Sequence, residues 1–138
     1  MENTKHFKPC DFMIFGALGD LAKRKLIPSL YQLEKAGLLE PATRIVGVAR
    51  HELTQEGFLT KVRESLDTFV KEPLDSAPVD AILARCRYVN VDMTDGAQYS
   101  RLQEVVDQHE RVMVNYLAVS PSLYGNICQG LNLSLIHI

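Results

Sequence analysis

The residues whose types and spacing best suit chemistry are Gly16, Gly19 and Ala22, which follow the apolar run 10–15. A glycine at the first position permits a tight turn, and one at the second lets a diphosphate approach the main chain without meeting a Cβ. The alanine permits close packing of helix and sheet, and free N–H groups at a helix start bind phosphate. The usual fingerprint is G-x-G-x-x-G/A, and Leu18 occupies its second glycine position. An ordinary strand-to-helix turn without a ligand is therefore the alternative interpretation.

A cation follows the second predicted strand, 44–49, where NAD-binding units carry an acidic residue that binds the ribose 2′-hydroxyl. This chain has Arg50 followed by His51 at that point, and no carboxylate. A guanidinium fork matches a 2′-phosphate dianion in shape and charge. The sequence therefore predicts NADP rather than NAD as the cofactor, with a solvated surface arginine as the alternative.

Other polar residues allow two interpretations each. Asp92, just past the third predicted strand, either borders an adenine pocket or caps the next turn. The basic triplet Lys23, Arg24 and Lys25 is either a solvated helix face or an attraction for an anionic substrate. The histidines show neither metal-ligand spacing nor a paired carboxylate, so we predict no metal site and no catalytic residue within these 138 residues.

The elements that must position these groups alternate along the chain. Apolar runs predict four strands, over 10–15, 44–49, 87–91 and 111–119. Helical spacing predicts helices from Asp20 to Gly37, after the cap Thr54, over 99–109, and from Pro121 with Ser120 as cap. Between Pro73 and Pro78 we expect a loop, then a short helical turn over 79–84. Pro28 lies inside the first helix and predicts a bend there.

This order predicts an α/β fold, namely a Rossmann-like doubly wound parallel sheet with about four strands and flanking helices. The sheet is incomplete by this interpretation, so the fourth strand should expose an apolar, unpaired edge. The length of 138 residues suits one domain or a piece of one.

Composition excludes several function classes. The chain has 15 Lys and Arg against 17 Asp and Glu, which argues against nucleic-acid binding. It has no apolar run of about 20 residues and no signal peptide, so we expect a cytoplasmic protein without a membrane span. Cys10, Cys86 and Cys128 are odd in number and widely spaced, which predicts reduced, buried thiols.

Three segments resemble the N-terminal part of bacterial glucose-6-phosphate dehydrogenase. They are D-x-x-I-F-G-A-x-G-D-L-A-x-R-K-L-x-P-S-L-Y-x-L over 11–33, R-I-V-G-V-A-R over 44–50 and N-Y-L-A-x-x-P-S over 115–122. The resemblance covers roughly residues 8–131. It implies hydride transfer from C1 of glucose 6-phosphate to NADP, the entry step of the pentose phosphate pathway, by a full-length enzyme that we expect to be a homo-oligomer.

The resemblance also assigns roles to residues. The glycine turn lies under the pyrophosphate, Arg50 binds the 2′-phosphate, Lys25 lies beside the sugar, and the segment from Tyr116 lies along the nicotinamide half. The expected cofactor-binding residues are Gly16, Ala17, Gly19, Asp20, Leu21, Ala22, Arg50, Asp92, Met93, Tyr116, Ala118 and Pro121. Leu18 and Ser120 depart from the family pattern, because many members have a hydroxyl residue at the position of Leu18 and a proline is common at that of Ser120.

The family enzyme is several times longer, and its catalytic histidine and substrate domain have no counterpart in this sequence. We therefore expect residues 1–131 to be a partial NADP-binding domain that is inactive alone, and 132–138 to be a non-native tail. A free-standing, non-catalytic NADP-binding module is the alternative. A short-chain reductase is disfavoured because the chain lacks a T-G-x-x-x-G-x-G turn.

Overall fold

The computed structural model describes residues 10–105 and 112–134. Its four strands are β1 (Cys10–Phe15), β2 (Arg44–Ala49), β3 (Cys86–Asn90) and β4 (Val112–Leu117). Its α-helices are α1 (Ile27–Lys35), α2 (Gln55–Phe69), α3 (Ser76–Arg85) and α4 (Tyr124–Ser134). A π-helical turn (Ala22–Leu26), a 3₁₀ helix (Gly96–Glu104) and a 3₁₀ turn (Pro121–Leu123) complete the described elements.

The strands form one parallel sheet in the order β3-β2-β1-β4. The chain therefore starts in the middle of the sheet, builds outward through β2 and β3, and returns to the other side of β1. This order confirms the predicted Rossmann-like parallel sheet. Where the direction of strand order reverses, between β1 and β4, the loops at the carboxyl ends separate and leave a crevice.

Alternate residues of the central strands supply two separate cores. Ile14 and Ile45 face the helices α1, α2 and α3, whereas Met13, Phe15 and Val46 face the 3₁₀ helix and α4. Both faces of β1 and β2 are thus covered, which explains why these strands are continuous apolar runs without polar alternation.

Several predicted helix boundaries are confirmed by their caps. Thr54 accepts a hydrogen bond from the Gly57 amide at 2.9 Å, and the Ser120 hydroxyl accepts from the Ser122 amide. Gly37 ends α1 with φ at +74°, a conformation in which a glycine is favoured. Pro28 is the second residue of α1, and the irregular segment is the π turn directly before it.

Two crossovers differ from the prediction. The segment expected to be a loop and a short turn forms the ten-residue helix α3. Pro78 is compatible with it because a proline in the first turn lacks an N–H that would have no intrahelical partner anyway.

The helix expected over 99–109 is a 3₁₀ helix that ends at Glu104, and 106–111 lie outside the described residues. Its buried residues Tyr99 and Leu102 are three apart, which matches three residues per turn.

The expectation of three buried thiols is wrong. Only Cys86 is buried, while Cys10 is half-buried and Cys128 is exposed. Cys128 follows Ile127, the residue that α4 turns toward the sheet, so its own side chain faces outward. Of the tail predicted over 132–138, residues 135–138 lie outside the described part and 132–134 complete α4.

The strand β4 lies at one end of the described sheet. One of its faces exposes Val112, Val114 and Tyr116, and the Tyr116 ring lies 6.3 Å from that of Phe12. No helix within 10–105 or 112–134 has the length and apolar character needed to span a membrane.

Candidate functional site

A crevice of about 420 Å³ opens at the carboxyl ends of the strands. It brings together six residues that the sequence assigned to the cofactor: Gly16, Gly19, Arg50, Asp92, Met93 and Ala118. They come from the loops after all four strands, because the carboxyl ends of parallel strands lie at one edge of a sheet. The crevice therefore coincides with the place where dinucleotides bind in sheets of this order.

The first turn of the crevice depends on Gly16. Its φ is +87°, and a Cβ at this position would overlap the carbonyl group of Ala118. The Gly16 amide donates to the Val48 carbonyl at 2.8 Å, and the Ala118 amide donates to the Phe15 carbonyl at 2.8 Å. The turn is thus held between the ends of β2 and β4, with no room for a side chain.

The second glycine continues the turn into the helix. The Gly19 amide donates to the Gly16 carbonyl at 2.9 Å, and the Lys23 amide donates to the Gly19 carbonyl at 3.1 Å. A Cβ on Gly19 would lie 3.2 Å from the Gly16 carbonyl oxygen. The main chain of this turn consequently borders the crevice directly, as close approach of a phosphate requires.

Arg50 supplies positive charge to the crevice. Within the described residues its guanidinium makes no hydrogen bond or ion pair, so its five N–H donors can bind a ligand. The loop that carries it is held in place by the next strand, because Tyr88 and Asn90 both donate to the His51 carbonyl, the latter at 3.0 Å. A cation in a fixed loop is suited to an anion of defined position.

Asp92 lies in the loop after β3, the strand next to β2, and caps a turn. Its carboxylate accepts from the Thr94 hydroxyl at 2.7 Å and from the Thr94 amide at 3.0 Å. These two hydrogen bonds, with a smaller contribution from the Arg50 charge, hold the pKa of Asp92 below its ordinary value. The capping interpretation of Asp92 is confirmed, and the side chain also borders the crevice.

Other residues assigned to the cofactor have side chains outside the crevice. Ala17 and Ala22 are buried beneath the glycine turn, where they let helix and sheet approach. Asp20 pairs with Arg24 at 2.7 Å on the surface, and Leu21 is largely exposed. Their cofactor contacts remain predictions, and the geometry is compatible with contact through the main chain alone.

The remaining assigned residues lie on neighbouring surfaces. Tyr116 lies on the exposed face of β4, and Pro121 begins the 3₁₀ turn that follows the crevice residue Ser120. Lys25 is exposed in a separate depression, which it shares with Ser29 and Lys71 among others. Their roles also remain predictions.

Sequence reasoning assigned no cofactor role to three polar residues that line the crevice, namely His51, Thr94 and Ser120. Thr94 could have been found, because an aspartate two residues before a hydroxyl residue is typical of an Asx turn. In the part of the chain that the structure describes, no cluster of histidine, cysteine or carboxylate side chains could hold a metal ion.

The sheet order, with a glycine turn at its point of reversal, defines a dinucleotide-binding domain of the Rossmann type. The chain belongs to the family described as "Glucose-6-phosphate dehydrogenase, NAD binding domain", whose profile matches residues 13–137.

Relatives and solved structures agree with this membership. The chain is 49% identical over 131 residues to glucose-6-phosphate 1-dehydrogenase of Dickeya dadantii (strain 3937), covering 95% of this chain and 27% of that protein. It is 43% identical over 129 residues to that of Mycolicibacterium smegmatis, covering 89% of this chain and 26% of that protein. A solved glucose-6-phosphate dehydrogenase in complex with its substrate glucose-6-phosphate superposes with a TM-score of 0.84 at 30% identity, covering 99% of this chain and 29% of that one. The chain thus spans about a quarter of the length of the relatives it matches.

Proposed function

We propose that this chain forms the NADP-binding part of a glucose-6-phosphate dehydrogenase, which oxidises glucose 6-phosphate to 6-phosphogluconolactone. The observation that carries the choice of NADP is Arg50, whose guanidinium borders the crevice without a partner among the described residues. An NAD site would instead be expected to present a carboxylate at the end of β2. The unpaired guanidinium is matched by the dianion of a ribose 2′-phosphate.

The glycine turn would hold the pyrophosphate of the cofactor. Gly16 and Gly19 leave the main chain uncovered, and the helix start behind them carries a partial positive charge. Bound NADP supplies the hydride acceptor, and the 115–122 segment would lie along its nicotinamide half. The position of the pyrophosphate is supported by the crevice, and that of the nicotinamide half by the family resemblance alone.

The sugar phosphate would lie near the start of the first helix. Lys25 and Lys71 are both in the depression beside Pro28, so the local charge there favours an anionic substrate. Removal of the C1 hydroxyl proton requires a positioned base. None of the described residues is assigned as that base. In the proposed full-length enzyme, the base lies outside these 138 residues. The whole enzyme is proposed to be cytoplasmic and homo-oligomeric.

The test is the substitution Arg50→Ala, with NADP and NAD binding measured by calorimetry. Loss of a charge-assisted contact should weaken NADP by about 1.5–3 kcal/mol, roughly tenfold or more, and leave NAD nearly unchanged. Arg63→Ala is the matched control, because Arg63 is an exposed arginine of α2 that does not border the crevice. Equal losses for both cofactors would show that the assignment of the 2′-phosphate to Arg50 is wrong.

A further inference from the structure

The π turn that follows the glycine turn leaves one main-chain carbonyl without a main-chain donor. The Ile27 amide donates to the Ala22 carbonyl, five residues back, instead of to the Lys23 carbonyl. The next residue in the same register is Pro28, which has no N–H. The Lys23 carbonyl therefore loses its α-helical partner to the π turn and its π-helical partner to the proline. Such a group is costly to bury unless another donor reaches it.

A side chain of another helix supplies that donor. The Ser65 hydroxyl, on α2, donates to the Lys23 carbonyl at 2.5 Å. Ser65 is only 3% exposed and belongs to the face of α2 that is otherwise formed by Phe58, Val62 and Leu66. A hydroxyl in this apolar stripe would be unfavourable without a partner. The position of Ser65 is accounted for by the hydrogen bond that Pro28 cannot make.

Lys23 links Ser65 to the crevice through its main chain. The Lys23 amide donates to the Gly19 carbonyl at 3.1 Å, so the two main-chain groups of Lys23 bond to Ser65 and to the glycine turn. Gly19 borders the crevice, whereas Ser65 does not. A shift of the π turn would therefore move the main chain that faces the ligand.

We propose that Ser65 is a positioning residue for diphosphate binding, because its hydroxyl replaces the N–H that Pro28 lacks and holds the turn that carries Gly19. This inference rests on the proposed function, since it assigns the diphosphate to the glycine turn. It predicts that Ser65 affects the diphosphate end of the cofactor and not the end that Arg50 contacts.

The test compares two ligands in the 138-residue chain. Ser65→Ala should weaken NADP⁺ roughly fivefold, the effect of one lost hydrogen bond, measured by calorimetry. It should leave the affinity for 2′-AMP, which has the 2′-phosphate and no diphosphate, unchanged in ligand-detected NMR. Thr60→Ala is the matched control, because Thr60 lies on the same helix and its hydroxyl donates to the Glu56 carbonyl of that helix.

A second substitution tests the physical reason. Pro28→Ala restores a main-chain N–H beside the Lys23 carbonyl, so adding it to Ser65→Ala should return NADP⁺ affinity to within about twofold of the parent chain. Ser65→Cys, which retains the shape with a weaker donor, serves if the alanine variant does not fold, and an intermediate loss is expected.

Three results would overturn the inference: unchanged NADP⁺ affinity in Ser65→Ala, equal weakening of NADP⁺ and 2′-AMP, or no recovery on adding Pro28→Ala. If the parent chain bound neither ligand, the proposed function itself would fail. If instead the parent chain bound both ligands and the Ser65 variant bound them equally well, only the inference about Ser65 would fail.

Discussion

The Ala118 carbonyl carbon lies 3.0 Å from the point that a Cβ on Gly16 would occupy, and its oxygen lies closer still. This proximity joins the turn after β1 to the end of β4 and closes the floor of the crevice. Because Gly16 also has φ at +87°, two independent constraints require a glycine there.

Gly16→Ala should therefore be more destabilising than a substitution that only forces a positive φ. Gly37 provides the comparison, since its φ is +74° and a Cβ there would meet nothing within 4 Å. Gly37→Ala should lower the free energy of unfolding by about 1 kcal/mol, and Gly16→Ala by several times that. Urea denaturation measures both, and equal losses would mean that the Ala118 contact has no energetic importance.

A second prediction concerns the ion pair between Asp11 of β1 and Arg44 at the start of β2. Asp11 is 1% exposed, and both of its oxygens accept from Arg44, at 2.8 and 2.9 Å. Asp11→Ala should destabilise the fold by about 3 kcal/mol, because it removes a buried carboxylate that accepts two hydrogen bonds from Arg44. Asp20→Ala, which breaks the exposed pair with Arg24, should change stability by less than about 1 kcal/mol. A smaller effect at Asp11 than at Asp20 in urea denaturation would contradict this ranking.

A third prediction concerns alkaline pH. Burial raises the pKa of Cys86 from 9.0 to about 12, and burial, with the nearby Asp92 charge, raises the pKa of Tyr99 from 10.0 to about 12. Both groups are more readily ionised in the unfolded chain than in the folded one. Their contribution to the stability of the fold is therefore fully present below about pH 9 and is lost as pH rises towards 12. The free energy of unfolding should therefore fall between these values.

Cys86→Ala should flatten part of this fall, when each variant is compared with its own stability at pH 8. Thr60→Ala is the matched control, because it removes an exposed hydroxyl of α2 and no titratable group. If Cys86→Ala and Thr60→Ala showed the same dependence on pH, burial of the Cys86 thiol would not be its cause.

A fourth prediction concerns the three thiols. Accessible thiolates attack the sulfur of disulfide-exchange reagents, so Cys128 should react first and Cys86 only when the protein unfolds. Cys10, which is half-buried, should react at an intermediate rate. Mass spectrometry of the labelled chain would identify the sites, and early labelling of Cys86 in the native state would contradict its burial.

Much of the crevice could be predicted from the sequence because strand ends are visible in it. Gly16 and Arg50 directly follow apolar runs, and parallel strands place such residues at one edge of the sheet. The side chains of Asp20 and Leu21 could not be placed in this way. Whether a residue of a helix start faces a ligand depends on how the helix is rotated against the sheet, and that is decided by packing.

Local sequence patterns also predicted the wrong element where the same residues are compatible with two kinds of secondary structure. Apolar residues at 99, 102, 105 and 106 are compatible with an α-helix or a 3₁₀ helix, and the packing of Tyr99 beneath Gly130 of α4 accompanies the tighter form. Pro78 is a loop signal in isolation, yet it is accepted in the first turn of α3. The first of these differences reflects a neighbour distant in sequence, and the second reflects the position of the proline within its helix.

The amino-acid sequence alone determined the alternation of strands and helices, the family, the glycine turn and the cation after β2, because each depends on residues within a few positions of one another. Only the tertiary structure decided the π turn, the pairing of the buried Asp11 with Arg44, and the bond from Ser65 to Lys23. The last two features join residues 33 and 42 positions apart, and a buried polar group is stable only where the fold brings it a partner.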